Sequence, residues 1–134
     1  MDVFLKSKRS DIMRQVRGRD TIPELVVRSM AHRLGYRFGL HGAKLPGVPD
    51  LVFRSRKKAI FVHGCFWHGH RCARGSRVPK SNRNYWIAKI MRNRVRDRKA
   101  QSSLRAMGWS TLVIWECQLS KVVKVNARLR IFLG

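Results

Sequence analysis

The sequence is poor in acidic residues: seven Asp and Glu stand against 30 Lys and Arg among 134 residues, a formal net charge of +23. Three cysteines, an odd number, are a poor basis for a secreted disulfide framework. No apolar run approaches the roughly 18 residues that cross a bilayer, and residues 1–6 lack the apolar core of a signal peptide. Internal repeats and low-complexity tracts are absent as well. We therefore expect a single intracellular domain over residues 1–134 with no membrane partner.

The excess of positive charge indicates a polyanionic partner, because a bound polyanion relieves the self-repulsion of a compact basic domain. Nucleic acid is the leading class, since every neutralised phosphate releases counterions. Ribosomal and anionic membrane surfaces are rivals that charge alone does not separate. Hydrophobic residues make up 44% of the chain, including four Trp and six Phe, which is enough for a packed core and argues against disorder.

Apolar periodicity, helix caps and Gly or Pro breaks predict a mixed β-sheet flanked by helices, which places the chain in the α/β class. The predicted elements in chain order are a basic arm or short helix over residues 1–20, a helix from Thr21 to Gly35, a short strand at 36–38, two hairpin strands at 50–53 and 59–62, a long helix at 84–107, a buried strand at 109–116 and a last helix at 119–133. The segments 41–49 and 63–83 are predicted loops, because they are rich in Gly, Pro, His and Arg.

Cysteine and histidine are concentrated in the second of these loops, where Cys65, His70 and Cys72 lie within eight residues. Thiolate and imidazole are ligands that zinc prefers, in a tetrahedral set of four. Cys117, directly after the predicted buried strand, is the remaining cysteine and would complete a Cys3His set. A set that uses all four positions predicts a structural zinc site. Three buried free thiols are the alternative, since unpaired cysteine is often buried.

Asp50 opens a predicted strand directly after a Pro-Gly-Val-Pro segment. In a protein that meets phosphates, a carboxylate there can anchor Mg²⁺, which lowers the pKa of bound water and stabilises a leaving oxygen. A turn-forming Asp after proline is the alternative, and spacing does not separate the two. His63 and His68 lie outside the zinc set and can take a proton from water or stabilise phosphorane charge. His32 and His41 have no such setting and are interpreted as structural.

Asp97 lies on one stripe of the predicted long helix, between Ile90 and Leu104. A carboxylate that faces inward needs a partner. That partner is either Arg94, at helical spacing, or a catalytic histidine that Asp97 orients.

Two aromatic pairs stand among polar and basic neighbours: Phe66–Trp67 in the Gly-rich loop and Tyr85–Trp86 at the start of the long helix. Core burial is the default for such rings. Apolar rings placed among cations can instead wedge between base pairs, where stacking offsets the unstacking they cause.

Several segments together resemble the very-short-patch repair (Vsr) endonuclease family, in order from about residue 9 to residue 119. The run from His63 to His68, His-Gly-Cys-Phe-Trp-His, is the most specific of them. The matching segments are Arg9-Ser10 with Met13, then Asp20–Glu24, Leu45–Val52, Phe61–Cys72, Tyr85-Trp86 with Lys89-Ile90, Asn93 and Asp97-Arg98, and finally Gly108-Trp109 with Val113–Cys117.

The resemblance implies a restriction-endonuclease-like α/β core with a zinc site. It also implies a Mg²⁺-dependent nick on the 5′ side of the thymine in a T·G mismatch, which arises when 5-methylcytosine deaminates. The implied partner is double-stranded DNA with a T·G mismatch. The implied enzyme is a bacterial monomer in the cytoplasm, associated with the nucleoid, and further repair proteins are expected to act after it.

Carried over residue by residue, the resemblance makes Asp50 the Mg²⁺-binding carboxylate, with the main-chain carbonyl of Val62 as a further ligand. It implies that His68 is the general base for water and that His63 assists at the scissile phosphate. Asp97 is implied to orient a histidine, and Glu24 to support the site. The implied zinc ligands are Cys65, His70, Cys72 and Cys117. The implied wedge beside the mismatch consists of Phe66, Trp67 and Trp86, and Met13 is implied to press on the DNA from the minor groove.

Two other functions are compatible with the same residues. One is a Vsr-like homing or defence nuclease that acts on matched DNA. The other is a zinc-containing DNA-binding module without activity, which the matched Glu24, Asp50, His63 and Asp97 argue against. The segment Ile60–His63 stands where many nucleases supply a second acid and a lysine, and this departure agrees with the Vsr variation, where histidine does that work.

Overall fold

Three helices and a four-stranded sheet make up the part of the chain that the structure describes, residues 20–73 and 75–134 of a computed structural model. The elements are helix α1 (Ile22–Arg33), strands β1 (Gly39–Leu40), β2 (Leu51–Phe53) and β3 (Lys58–His63), helix α2 (Arg83–Ala106), strand β4 (Ser110–Trp115) and helix α3 (Val122–Leu133). Short 3₁₀ turns follow β2 at Arg54–Arg56 and β4 at Glu116–Ser120. The predicted mixed α/β class is confirmed.

The sheet is mixed, with strand order β1-β2-β3-β4. β1–β2 and β2–β3 are antiparallel, whereas β3 and β4 are parallel. A parallel pair needs a long crossover, and α2 supplies it. The β3–β4 register aligns His63 with Trp115, so the two segments that leave these strands start side by side. The first carries the predicted catalytic histidines and the second carries Cys117.

Helices cover both faces of the sheet. On one face, Val27 of α1 and Leu129 of α3 pack with Ile60 and Ile114 in the larger core cluster, and all four are fully buried. On the other face, Leu104 of α2 packs in a smaller cluster with strand residues that include Phe61. At about 25 cal/mol per Å² of buried apolar surface, burial of this kind is the dominant stabilising term.

Helix α2 is long but weakly buried. Of its 24 residues only Ile90 and Leu104 are buried. These two anchor the helix at separate points, and the polar stretch between them contains Asp97, which is only partly buried. Loop 41–49 closes against the same helix at Gly47, where φ is +76° and an added Cβ would lie 2.5 Å from Cβ of Ala100. Glycine is required there on both counts.

Two predictions differ from the structure or fall outside it. The first strand is Gly39–Leu40 rather than 36–38, because Tyr36 and Phe38 pack against the larger core cluster while Gly39 pairs with Val52. The basic arm, with Met13, lies outside the described residues apart from Asp20. Within the described residues, no helix has the length and apolar character needed to cross a bilayer.

Candidate functional site

A cavity of about 390 Å³ opens where α1 begins, β3 ends and the middle of α2 passes. Its walls bring together residues that are far apart in the chain. Those singled out from the sequence that line it are Glu24, Asp50, Val62, His63, Phe66, Trp67, His68 and Asp97. The sequence therefore identified most of the polar lining of one site.

Two carboxyl groups form one side of this cavity. Glu24 is buried, and its side chain is in hydrogen-bonding contact with that of Asp50. The Val62 N–H donates to Asp50 Oδ2 at 2.6 Å. Burial, and after it the charge of Glu24, raises the pKa of Asp50 to about 7, against the opposing effects of the Val62 N–H and the Arg28 charge. Two buried carboxyls in contact are costly as ions unless a cation compensates them.

Local sequence explains how Glu24 reaches this position. Thr21 caps α1, and its hydroxyl accepts from the Glu24 N–H at 3.4 Å. The Glu24 carboxylate reaches back beyond the cap and accepts from the Asp20 N–H at 2.8 Å. This is a variant of the capping box, shifted by one residue. It leaves the carboxylate at the helix start, facing Asp50.

The oxygen atoms on this side fit a hard divalent cation. The N–H and C=O of one strand residue project to the same side, so the Val62 carbonyl faces the Asp50 side of β3, as its N–H does. Val62 is paired with Ile114 of β4, but β2 begins only at Leu51 and offers it no ladder partner on the Asp50 side. A carbonyl beside two carboxyls supplies the oxygen ligands that Mg²⁺ prefers.

Two imidazoles and one carboxylate form the other side of the cavity. The rings of His63 and His68 are stacked, with centroids 3.8 Å apart and an interplanar angle of 2°. Asp97 Oδ2 lies 2.6 Å from His68 Nδ1, and Asp97 Oδ1 lies 3.9 Å from His63 Nε2. Of the two partners considered for Asp97, the structure places the histidines against it. A carboxylate on Nδ1–H leaves Nε2 of His68 as the acceptor.

His63 is held as a neutral ring. Burial, and after it the nearby His68, lowers the pKa of His63 to about 3. Its Nδ1 is buried and has no hydrogen-bond partner among the described residues. At neutral pH the free protein therefore presents His63 as an uncharged hydrogen-bonding group rather than as an imidazolium.

The three cysteines and His70 converge as the sequence predicted. One ligand atom from each of Cys65, His70, Cys72 and Cys117 lies within 4.8 Å of every other. Burial is the main factor that raises the pKa of the Cys65 thiol to about 12. Three thiols and one imidazole are donor types that a closed Cys3His zinc site uses. The cluster can hold a metal ion; which metal it binds stays a prediction.

This cluster lies directly behind His63 and Trp115. The Cys65 N–H donates to Glu116 Oε1 at 3.4 Å, and the Cys117 N–H lies 3.4 Å from Cys65 Sγ. His70 stacks on Trp115 with ring centroids 4.2 Å apart, and Trp115 also contacts His63 edge-on at 5.0 Å. A metal held here would fix the loop that carries His68.

Three aromatic rings cluster at the rim of the cavity. The ring centroids of Phe66, Trp67 and Trp86 are 5.1 to 5.9 Å apart. Lys89 Nζ lies over Trp67 at 5.6 Å and over Trp86 at 5.9 Å. All three rings are only partly buried, so apolar surface and positive charge are presented together. Met13, predicted to act with them, lies outside the described residues.

A second cavity, of about 500 Å³, continues from the first along α2. The two share His68 and Asp97, and the second adds Arg96 and Lys99. The resulting groove is basic along the helix and acidic where Asp97, Glu116 and the paired carboxyls lie. A phosphodiester backbone fits such a groove.

Sequence reasoning missed a group of residues behind the paired carboxyls. Arg28, Asp20 and His41 contact one another and reach Glu24. The spacing of Glu24 and Arg28, four residues apart on a helix, was a usable signal. The contact with His41 crosses from α1 to loop 41–49 and had no local signal. Glu116, a further cavity residue, was noted only as part of the family resemblance.

Comparisons with known proteins identify nucleases as relatives of this chain. The sequence model of the family described as DNA mismatch endonuclease Vsr matches residues 1–74. The type II nicking enzyme V.XorIIP of Xanthomonas oryzae pv. oryzae is 51% identical over 129 residues, 96% of this chain and 94% of that protein. The type II nicking enzyme V.NmeAIP of Neisseria meningitidis serogroup A is 38% identical over 128 residues, 96% of this chain and 91% of that protein. The DNA mismatch endonuclease Vsr of Escherichia coli K12 is 42% identical over 118 residues, 88% of this chain and 75% of that protein.

Paired carboxyls, paired imidazoles and a basic groove on an α/β sheet, together with these relatives, define a DNA endonuclease. The chain belongs to the Vsr family of DNA mismatch endonucleases.

Proposed function

We propose that this enzyme is a Mg²⁺-dependent, strand-specific endonuclease of very short patch repair, which nicks 5′ of the thymine in T·G mismatches formed by 5-methylcytosine deamination. The observation that carries the proposal is the single cavity in which Asp50 and Glu24 face His63 and His68 beside an aromatic rim. Its oxygen side suits a metal, its imidazole side suits proton transfer, and its rim suits an unstacked base pair.

In this proposal His68 is the general base. Asp97 holds its Nδ1–H, so Nε2 accepts a proton from the attacking water. The stacked, neutral His63 is a hydrogen-bonding group for the scissile phosphate and keeps the His68 ring in place. Asp50 and the Val62 carbonyl are the proposed Mg²⁺ ligands, with Glu24 in support. When bound there, Mg²⁺ lowers the pKa of bound water and stabilises the leaving oxygen.

We assign mismatch recognition to Phe66, Trp67 and Trp86. A T·G pair stacks weakly, so insertion of a ring costs less there than at a matched pair, and a few kcal/mol of difference is enough for selectivity. Lys89, over two of these rings, provides a charge for the neighbouring phosphate. The contribution of Met13 from the minor groove is part of the same proposal.

The Cys65, His70, Cys72 and Cys117 cluster is the proposed structural zinc site. Its four positions are all protein ligands, which is typical of structural rather than catalytic zinc. Its role is to hold the loop from Gly64 to Cys72 in the conformation that places His68 against Asp97.

The proposal is tested by cleavage of a panel of duplexes. The panel holds T·G, other mismatches, matched DNA and 5-methylcytosine in several sequence contexts, each with and without Mg²⁺. The expected result is a single nick 5′ of the mismatched T, dependent on Mg²⁺. Equal cleavage of matched and mismatched duplexes would support the second candidate, a Vsr-like homing or defence nuclease acting on matched DNA. The names of two relatives, which are type II nicking enzymes, are the observation that favours that alternative.

Trp67→Ala tests the assignment of the wedge. It is expected to lower the ratio of T·G to matched binding more than it lowers general DNA affinity, because phosphate contacts carry no mismatch information. Met91→Ala, at an exposed apolar position of α2 away from the rim, is the control. An equal loss of affinity on both duplexes would reject the assignment.

The remaining features of the proposal concern the cellular setting. A repair nick made in chromosomal DNA implies a cytoplasmic enzyme associated with the nucleoid and later proteins that resynthesise the strand. We propose that it acts as a monomer.

A further inference from the structure

Behind the paired carboxyls lies a second polar cluster. Asp20, Glu24 and His41 offer three ligand-type atoms that lie within 4.8 Å of one another, a set that could hold a metal ion. Arg28 reaches all three instead. Its Nη2 atom lies 2.7 Å from Asp20 Oδ1, 3.3 Å from Glu24 Oε2 and 3.0 Å from His41 Nε2. A guanidinium nitrogen therefore occupies the place that a cation would take.

Arg28 is held in this place at a cost. Its side chain is only 14% exposed, and its Nε is buried without a hydrogen-bond partner among the described residues. An unsatisfied buried donor is unfavourable, because it has lost its hydrogen bonds to water. A residue placed for stability alone would be better replaced by an apolar side chain, so the arrangement points to a role in the site.

The cluster acts on the nuclease site through one carboxylate. Glu24, whose side chain is 5% exposed, contacts Arg28 on one side and Asp50 on the other. The permanent charge of Arg28 also favours the ionised form of Asp50. His41 and Asp20 anchor the guanidinium from loop 41–49 and from the residue before the helix cap, so three segments of the chain fix the direction of Glu24.

We propose that Arg28, anchored by Asp20 and His41, is a positioning residue that holds the Glu24 carboxylate against Asp50 and acts as the protein's own cation beside that pair. The proposal rests on the function proposed above, in which Asp50 and Glu24 serve cleavage. Arg28 itself touches neither metal nor substrate in this scheme.

The primary test compares Arg28→Met with Arg33→Met, which removes one charge from an exposed position of the same helix. Arg28→Met is expected to lower the single-turnover cleavage rate about 10- to 100-fold, the range for groups that orient ligands. DNA affinity, measured by anisotropy in Ca²⁺, should stay within about threefold of the Arg33→Met value, because each variant removes one cation. Arg28→Lys should recover part of the rate, since it keeps the charge but not the planar fork. Equal rates for the two Met variants would overturn the proposal.

A double-mutant cycle separates positioning from general stabilisation. If Arg28 acts through Glu24, the further loss caused by Arg28→Met in a Glu24→Gln background should be less than threefold. Additive losses would overturn the proposal.

Melting temperatures are measured in parallel, and Arg28→Met should be less stable than Arg33→Met, because it leaves the buried Glu24 without its cation. If Arg28→Met does not fold, Asp20→Asn serves instead, because Asp20 is 49% exposed and its change releases Arg28 without removing it. An unchanged cleavage rate in a folded Asp20→Asn protein would then overturn the proposal.

Asp50→Asn is run alongside, because it tests the proposed function itself. If Asp50→Asn still cleaves, the proposed site is wrong and the role of Arg28 is wrong with it. If Asp50→Asn is inactive while Arg28→Met matches Arg33→Met, only the role of Arg28 is wrong.

Discussion

The two sides of the cavity differ in how far their charged groups are paired within the protein. The imidazole side is largely paired within the protein: Asp97 faces both His68 and His63 and the two rings stack, although His63 Nδ1 has no hydrogen-bond partner among the described residues. On the oxygen side, Glu24 and Asp50 place two acids in contact, and among the described residues Arg28, which contacts Glu24, is the compensating charge. One side is therefore organised before anything binds, whereas the other is organised for a cation. The following predictions test this division.

The largest effect is expected at Asp50. Asp50→Asn removes a metal-ligating charge without changing size and should lower single-turnover cleavage about 10³-fold, which corresponds to about 4 kcal/mol. DNA affinity should stay the same or increase, because a negative charge leaves the groove. Activity within tenfold of the parent enzyme would show that the oxygen side is dispensable.

Loss of the proposed zinc site should damage only the imidazole side. Cys72→Ala, which breaks the Cys3His set, is expected to lower the melting temperature by several degrees and cleavage by about 10²-fold, as His68 loses its position. Ser76→Ala in the same loop is the control. Native mass spectrometry measures the zinc content of both proteins. Calorimetry measures Mg²⁺ binding, which should be equal for the parent and Cys72→Ala proteins if the oxygen side is unaffected. A folded Cys72→Ala protein with full activity would contradict the assignment.

A smaller effect is expected at Asp97. Asp97→Asn should slow cleavage by about 10- to 100-fold, because the amide no longer selects the Nδ1–H form of His68. Asp97 acts through the ring, so the His68→Ala/Asp97→Asn double variant should be no slower than His68→Ala. Multiplicative losses would mean that Asp97 has a role of its own.

The smallest effects concern stability, and the two sides should respond to pH in opposite directions. Asp50 has a raised pKa of about 7, so its contribution to stability is fully present below pH 3.8 and is lost as pH rises through 7. In Mg²⁺-free buffer, the stability of Asp50→Asn relative to the parent should therefore rise by about 2–4 kcal/mol between pH 4 and pH 8. His63 has a pKa lowered to about 3, so its contribution to the stability of the protein is present above pH 6.5 and is lost as pH falls towards 3, because the unfolded chain takes up the proton first. Thermal melts across this range measure both slopes, and a pH-independent difference between Asp50→Asn and parent would contradict the first.

Local sequence signals and the family resemblance account for what the sequence could predict of the site. Signals within a few residues located most of the site: the Thr21 cap and Glu24, the strand start at Asp50, and the clustered cysteines and histidines. The helical periodicity of α2 indicated that Asp97 faces inward and needs a partner. Only the structure could decide between Arg94 and a histidine as that partner. Family resemblance supplied the roles, which stay predictions.

The features that the sequence did not predict depend on long-range geometry. Arg28 meets His41 across 13 residues, through a loop whose path no local pattern specifies. The shift of the first strand to Gly39–Leu40 has the same origin, because its position is set by pairing with β2 and by the packing of Phe38 on Phe53. Tertiary packing outweighed local strand preference there.

The close fit of Gly47 against α2 has a consequence for how this enzyme meets its substrate. With an added methyl group excluded at 2.5 Å from Ala100, loop 41–49 and the helix form a wall with little freedom to open or close. Under the function proposed above, such a wall leaves the bending and unstacking to the duplex, whose sequence-dependent stiffness then becomes part of the selectivity. Flexible pyrimidine–purine steps beside the lesion should be favoured for mechanical reasons, at positions that no side chain touches.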